Sequence, residues 1–448
     1  MILEILIFLS TLFPILHIIN SIIMYRENKR PKYTYTSKEQ GFTIIIPCYN
    51  EENILKTSIY GVNELDYENY EVIFINDGST DNTMDLLMKE LKLEPYYREF
   101  SIELTDNIKD LYRSSIYKNY YVIDKLNGGK ADSINAGIMI SNYELIVTLD
   151  ADSVLKKNSL KIVNEHFQDE DVVAGGGTIQ ILQGHNFFHK NILKINNLVK
   201  LQILDYLKGF YVYKASLAKE NALAIISGAF GVFNKALVIK LGGFRKTLGE
   251  DIDITLRVQQ YSIKNKCKVI FIPEAICYTE CPENWRDFYR QRIRWQKAFI
   301  DCVIRFKGFL IKTFLIKSLS FRMVIEALCV GTISSLYTIV NLIILIVNYE
   351  STSIRVMSGI YFFISTIFNI AYSITAVNIG KKYKAYNGKI NMRIIIQAVV
   401  LDVFVYRFIN LVIYLLGTIL YFFNNESWNK VSRTNRIYKF DTTEEIKL

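Results

Sequence analysis

The chain is poor in cysteine and histidine, with six of the first and four of the second in 448 residues. Cys48, Cys267, Cys277, Cys281, Cys302 and Cys329 show no paired spacing of the kind a zinc site needs, and they carry no assigned function. His185 and His189 are four apart, but Asn186 stands where a zinc protease requires Glu. No complete phosphate loop occurs: Asn127-Gly128-Gly129-Lys130 lacks the upstream glycine, and Ala131 replaces the Ser or Thr. Gly175-Gly176-Gly177 lacks the spacing and acidic partner of a dinucleotide fingerprint and reads as the flexible start of a strand. Internal repeats and low-complexity segments are absent. A net charge of +9 raises nucleic acid as a partner, yet the Lys and Arg residues flank apolar segments instead of forming a stripe with interleaved aromatics. Anionic lipid headgroups and a diphosphate ligand account for that charge more simply.

Half of the residues are hydrophobic, and they are unevenly spread. Ile2 to Tyr25 carries one early acid and is then uncharged, long enough to cross ~30 Å of hydrocarbon. No small-residue cleavage site follows it, so residues 1–25 read as a retained anchor, which Pro14, His17 and Asn20 suit to packing against other helices. The basic linker 26–40 then favours the cytoplasmic side and places the middle of the chain there, in a multi-pass protein of the cell membrane. Residues 286–320 mix Arg and Lys with Trp and Phe as interfacial helices do, 323–423 hold further transmembrane helices, and 424–448 form a basic tail. Asp402 and Arg407 lie inside the last apolar stretch. Either it crosses once with its charges facing protein, or it breaks and returns the tail inside, the second being preferred here.

Between the apolar ends, residues 41–285 alternate short β-rich runs (FTIII, EVIFI, YYVI, ELIVTL, KVIFI) with helix-length segments. The alternation predicts an α/β domain with a mostly parallel sheet, and residues 94–119 read as decoration at its edge. Four runs end in polar loops, at Pro47 to Glu52, Asn76 to Asp81, Asn127 to Lys130 and Asp150 to Asp152. Ligands of such sheets bind at the carboxyl ends of strands, so the four loops are expected to converge.

Each loop has a sharp reading and a plain one. Asp150-Ala151-Asp152 can hold Mg²⁺ or Mn²⁺ whose other positions take diphosphate oxygens, or can cap a helix. The strand before it and the companion acids favour the metal. Asp77 can bond a nucleotide base or ribose, with Pro47, Tyr49 and Glu51 as the opposite wall, or can sit in a tight turn. Lys130 can meet phosphate at a helix start or be a solvated lysine. Glu250-Asp251, after Gly249, can complement a helix dipole, or Asp251 can take a proton from an attacking hydroxyl. Ser227-Gly228-Ala229 offers close backbone approach to an acceptor or is a buried strand and turn. In Gln291-Arg292-Ile293-Arg294-Trp295, a guanidinium suits phosphate and an indole suits a sugar ring, while an interfacial helix uses the same residues.

Taken in order, Asp77, Asp150-Ala151-Asp152, Glu250-Asp251 and Gln291 to Trp295 resemble the signature of processive family 2 glycosyltransferases, the synthases of cellulose, chitin, hyaluronan and poly-N-acetylglucosamine. The resemblance covers Phe42 to Phe299. It implies a nucleotide-diphospho-sugar transferase fold of GT-A type flanked by transmembrane helices, a UDP-sugar donor, a divalent metal and inversion to a β-linkage. By position it implies that Asp77 contacts the nucleotide, Asp150 and Asp152 the diphosphate and metal, Asp251 the acceptor hydroxyl, and Gln291, Arg294 and Trp295 the acceptor and pyrophosphate. The usual Thr-Glu-Asp is here Gly249-Glu250-Asp251, which keeps the base. The gating loop and cyclic-di-GMP-binding domain of bacterial cellulose synthases are absent from the sequence. The expected partners are a UDP-sugar, a growing carbohydrate chain and membrane lipids, with room for an accessory export subunit and no role for nucleic acid. Two other readings stand beside this one: transfer of one sugar to a lipid-linked acceptor, and a catalytically silent membrane scaffold.

Overall fold

A computed structural model describes residues 2–28, 38–98, 104–105, 108–185, 195–347, 352–385 and 392–423. Most of the basic linker, His189 and the basic tail lie outside the described residues. The chain divides into two compact units. One, the sheet unit, comprises 34–194, 226–281 and 432–448; the other, the helical unit, comprises 1–33, 195–225 and 282–431. Residues 195–225 thus leave the continuous 41–285 domain expected from sequence and join the helices, because they form a largely apolar helical run over Asn197–Lys208 that continues to Lys219.

Among the described residues the sheet unit has ten strands: β1 Phe42–Cys48, β2 Tyr70–Asp77, β3 Leu93–Pro95, β4 Ile108–Ser114, β5 Tyr120–Lys125, β6 Leu145–Thr148, β7 Ser153–Leu155, β8 Val172–Ile181, β9 Gly231–Asn234 and β10 Lys268–Thr279. Their order is β3-β4-β5-β2-β1-β6-β9-β8-β10-β7. The centre, β5-β2-β1-β6, is parallel. It has to be buried on both faces, and Ile44, Ile45 and Ile46 of β1 and Val72 to Ile75 of β2 are all fully buried. All five runs read from the sequence are strands, and residues 94–119 supply β3 and β4 at the edge. Gly175 to Gly177 lie within β8 and not at its start, paired to β10. Strand order reverses beside β1, which has β2 on one side and β6 on the other. That switch point is where an open α/β sheet leaves a crevice for ligands.

In the helical unit, the N-terminal helix Ile2–Asn28 continues through Pro14. Its polar residues find partners: His17 bonds Ser216 at 2.8 Å and Glu326 at 2.5 Å, and Asn20 donates to Glu220 at 2.7 Å. Two described helices are long and apolar enough to cross a membrane, Ser358–Lys382 and Met392–Phe423. The second does not break at its charges, contrary to the preferred sequence reading. A π-helical turn at Asp402–Tyr406 takes in the first of them, whose carboxylate accepts from Lys208 at 2.9 Å and from Asn369 at 2.8 Å, while Arg407 follows the turn and lies over the Phe362 ring. Pairing inside protein removes the cost that would have driven the chain out of an apolar phase.

Candidate active site

The carboxyl ends of β1 and β2 carry two loops that are stapled together. Asn50, at φ +55°, accepts the Thr80 amide at 2.7 Å and donates its own amide to Ser79 Oγ at 3.0 Å. The Glu51 amide donates to Thr83 Oγ1 at 2.8 Å. Pro47, Tyr49 and Glu51 therefore stand beside the Asp77 loop, with Glu51 buried. Asn50 does the joining, an asparagine being among the residues that tolerate its positive φ.

Asp77 is buried, and its carboxylate is engaged within the protein. Lys125 Nζ and the Gly128 amide donate to Oδ1 at 2.7 and 2.9 Å, and the Gly129 amide donates to Oδ2 at 2.9 Å. Lys125, with no exposure, also pairs with Asp132 at 2.6 Å. Asp77 thus holds the loop that presents Lys130. Gly129 enters the helix Lys130–Ile140 at φ +91°, a conformation that L side chains rarely adopt.

Lys130 is the hub of the site. Its ammonium lies 2.6 Å from Asp150 Oδ1 and 3.3 Å from Glu250 Oε1. Burial opposes this charge, but the Asp150 and Glu250 carboxylates hold it well above the ordinary lysine range. Gly228 closes the group from the other side. A Cβ there would lie 2.7 Å from Lys130 Nζ and 3.7 Å from Asp251 Cβ.

Asp251 opens the helix Glu250–Asn265. Its Oδ1 accepts the Ile252 amide at 2.9 Å, and its Oδ2 lies 3.4 Å from the Gly228 amide. Burial, and after it the Glu250 charge, push its carboxyl up to about 6. A carboxylate so raised is a better proton acceptor near neutrality than an ordinary aspartate.

Asp152 is buried, and its Oδ1 accepts from Ser153 Oγ and Thr279 Oγ1, each at 3.2 Å, whereas the Asp150 side chain is about one-third exposed (34%). Among the described residues no cluster of three or more His, Cys, Asp or Glu could hold a metal. The Asp150 and Asp152 carboxylates alone suit a hard cation that takes its remaining ligands from phosphate and water. The Cys277 thiol sits behind them, donating toward the Ala229 carbonyl at 3.5 Å. Burial, with Asp150 and Asp152, pushes that thiol well up.

Gln291, Arg294 and Trp295 lie on the helix Trp285–Arg305 of the helical unit, begun by Asn284, whose side chain accepts the Asp287 amide. Trp295 is 40% exposed, and Gln291 Oε1 is buried with no hydrogen-bond partner among the described residues. Sequence reasoning named Arg292 only as part of the motif and missed Asp205 and Tyr406, which meet it around this helix. Residues so distant in sequence gave no local signal.

Strand-end carboxylates, a lysine at a helix start and a mixed sheet with a parallel centre and a switch point together describe the GT-A-type nucleotide-diphospho-sugar transferase fold. The fold agrees with that of a mannosyltransferase from Pyrobaculum calidifontis solved with GDP-Man and Mn²⁺, at TM-score 0.52 and 16% identity, covering 86% of this chain and 100% of that one. The family model for glycosyl transferase family 2 matches residues 43–242, and that for glycosyl transferase family group 2 matches 145–369. The chain belongs to the family 2 glycosyltransferases and is an enzyme of that class. It is similar to poly-beta-1,6-N-acetyl-D-glucosamine synthases: 29% identical to that of Staphylococcus aureus over 316 residues, 69% of this chain and 66% of the relative, and 25% identical to that of Staphylococcus epidermidis over 78% of this chain and 77% of the relative. The chain thus spans about two thirds of the length of the S. aureus relatives.

Proposed function

We propose that this enzyme is an inverting, membrane-embedded polysaccharide synthase that moves a hexose or N-acetylhexosamine from a UDP-sugar to a growing β-linked chain. N-acetylglucosamine is the donor sugar favoured by the similarity to the staphylococcal synthases. The observation that carries the reading is the convergence of Lys130, Asp150, Glu250, Asp251 and Gly228 on one point at the strand ends.

In this reading Asp251 accepts the proton of the acceptor hydroxyl as its oxygen bonds to the anomeric carbon. The bond from that carbon to UDP breaks at the same time, its electron pair leaving on the β-phosphate oxygen, so the configuration inverts. Lys130 then turns from the carboxylates toward the departing diphosphate. Mg²⁺ or Mn²⁺ held by Asp150 and Asp152 would supply neutralisation of diphosphate charge. Asp77 acts by fixing the loop ahead of Lys130, with Pro47, Tyr49 and Glu51 along the nucleotide wall, while Gly228 admits the acceptor close to the backbone. Glu250 keeps the Asp251 carboxyl raised and the lysine in place. Gln291, Arg294 and Trp295 receive the acceptor and pyrophosphate. The apolar helices hold the enzyme in the cell membrane with its catalytic domain cytoplasmic, where lipids and an export subunit are its neighbours.

The test is UDP release by the purified full chain across UDP-sugars with Mg²⁺ and Mn²⁺, followed by sizing of radiolabelled product. Release with UDP-N-acetylglucosamine and long products early in the reaction are expected. Only single-sugar products would overturn polymer synthesis, and no release with any UDP-sugar would overturn the donor class.

A further inference from the structure

The helix Trp285–Arg305 places Phe288, Arg292 and Trp295 at i, i+4 and i+7, so the three share one face. The Arg292 guanidinium lies 4.5 Å from the centre of the Trp295 ring and 5.1 Å from that of Phe288, with Tyr206 at 6.0 Å. A cation held over an indole covers one of its faces and is attracted to it. Phe288 is fully buried and fixes the base of the stack, while Trp295 keeps 40% of its surface exposed.

What holds the guanidinium there comes from two other helices. Asp205 Oδ2 pairs with Arg292 at 2.8 Å and accepts from the Tyr406 hydroxyl at 3.2 Å, and Arg292 lies 3.5 Å from that same hydroxyl. The three groups close a triangle. Tyr406 is 1% exposed and sits in the π-helical turn of the long apolar helix, a local irregularity of the kind that recurs at functional sites. Neither Asp205 nor Tyr406 makes a ring contact with Trp295 itself, so each acts on it through Arg292.

We infer that Asp205 and Tyr406 are positioning residues that lock Arg292 against one face of Trp295, leaving the indole as a fixed platform on which an acceptor sugar ring stacks. The inference rests on the reading of Trp295 as an acceptor contact. It adds how the platform is aimed and which residues aim it. Without Asp205 the guanidinium loses its anionic partner and leaves the ring, and the indole turns among its rotamers instead of meeting the sugar in one orientation.

The test uses the full-length enzyme in lipid nanodiscs, labelled with fluorotryptophan, with a short β-linked N-acetylglucosamine oligosaccharide as acceptor. The chain has three tryptophans, so a Trp295→Phe variant assigns the Trp295 resonance. Asp205→Asn is expected to raise the acceptor KM about tenfold with the donor KM unchanged, and to shift and broaden that resonance. Asp205→Glu is expected to restore both. Tyr406→Phe, which removes one hydroxyl, should move both readouts in the same direction and carries the test if Asp205→Asn fails to fold. Unchanged acceptor KM and an unchanged resonance in Asp205→Asn or Tyr406→Phe would overturn the inference, as would parallel loss of donor and acceptor affinity. Trp295→Ala separates the two levels. If it raises acceptor KM while Asp205→Asn does not, only the positioning role fails; if it leaves acceptor KM unaltered, the platform reading fails and the inference with it.

Discussion

Asp251 shows how a carboxylate at a helix start is tuned toward neutrality. The Lys130 charge and, after it, the Ile252 and Gly228 amides favour its charge, yet burial and the neighbouring Glu250 outweigh them and leave it near 6. A raised carboxyl is protonated below that value, so the base form is lost as pH falls through about 6. The pH profile of kcat/KM is accordingly expected to show an acid limb near pH 6, and Glu250→Gln, which removes a like charge, should move that limb to lower pH. Gly228→Ala probes the same point sterically. The added Cβ meets the tip of a flexible lysine 2.7 Å away, so the fold should survive with an unfolding temperature close to wild type. Turnover should fall roughly tenfold or more as Lys130 is pushed off Asp150; full activity would mean that the lysine position does not matter.

At the scale of elements, the loop Asn127–Gly129 is held by a buried carboxylate and not by its own turn propensity. Asp77→Ala leaves Lys125 with Asp132 and the Leu126 carbonyl and frees two amides, and breaking a buried pair costs about 3–5 kcal/mol. Denaturant unfolding should register a loss of that order, where removal of a nucleotide contact alone would leave stability unchanged. Glu274 gives a second case. It lies where the pairing of β10 with β8 shifts register, and burial raises its carboxyl to about 7 from an ordinary 4.5. The folded state therefore favours the protonated form, so this group stabilises below pH 4.5 and that contribution is lost as pH rises to about 7. Glu274→Gln should raise the unfolding temperature at pH 8 and change it little at pH 4.

These elements also show what could be read from the sequence. β1 and β2 were legible because strands buried on both faces are continuous apolar runs. β8 was obscured by its three glycines, and β4 by a place beside the short edge strand β3, which pairs with Tyr112 to Ser114 and leaves Lys109 and Asp110 exposed. The acids at strand ends were legible because each follows such a run. Lys125 and Asp132 were not, since nothing local marks a lysine for complete burial, and Asp205 and Tyr406 meet across 201 residues of chain. The helix through Asp402 was misjudged for the same reason: its partners, Lys208 and Asn369, come from elsewhere.

For the whole molecule, the apolar helices and the catalytic sheet belong to one chain of a family 2 glycosyltransferase. If two or more of those helices lie in a bilayer, the protein should stay in the membrane fraction after alkaline carbonate washing and need detergent for release. If the strand-end groups form one transfer site with Asp251 as its base, Asp251→Asn should separate chemistry from donor binding, which is checked by measuring in one preparation both turnover of UDP-N-acetylglucosamine and calorimetric binding of UDP with Mn²⁺. Loss of turnover by at least a hundredfold with UDP affinity near wild type is the expected result. Substantial residual transfer, or binding lost together with turnover, would contradict it.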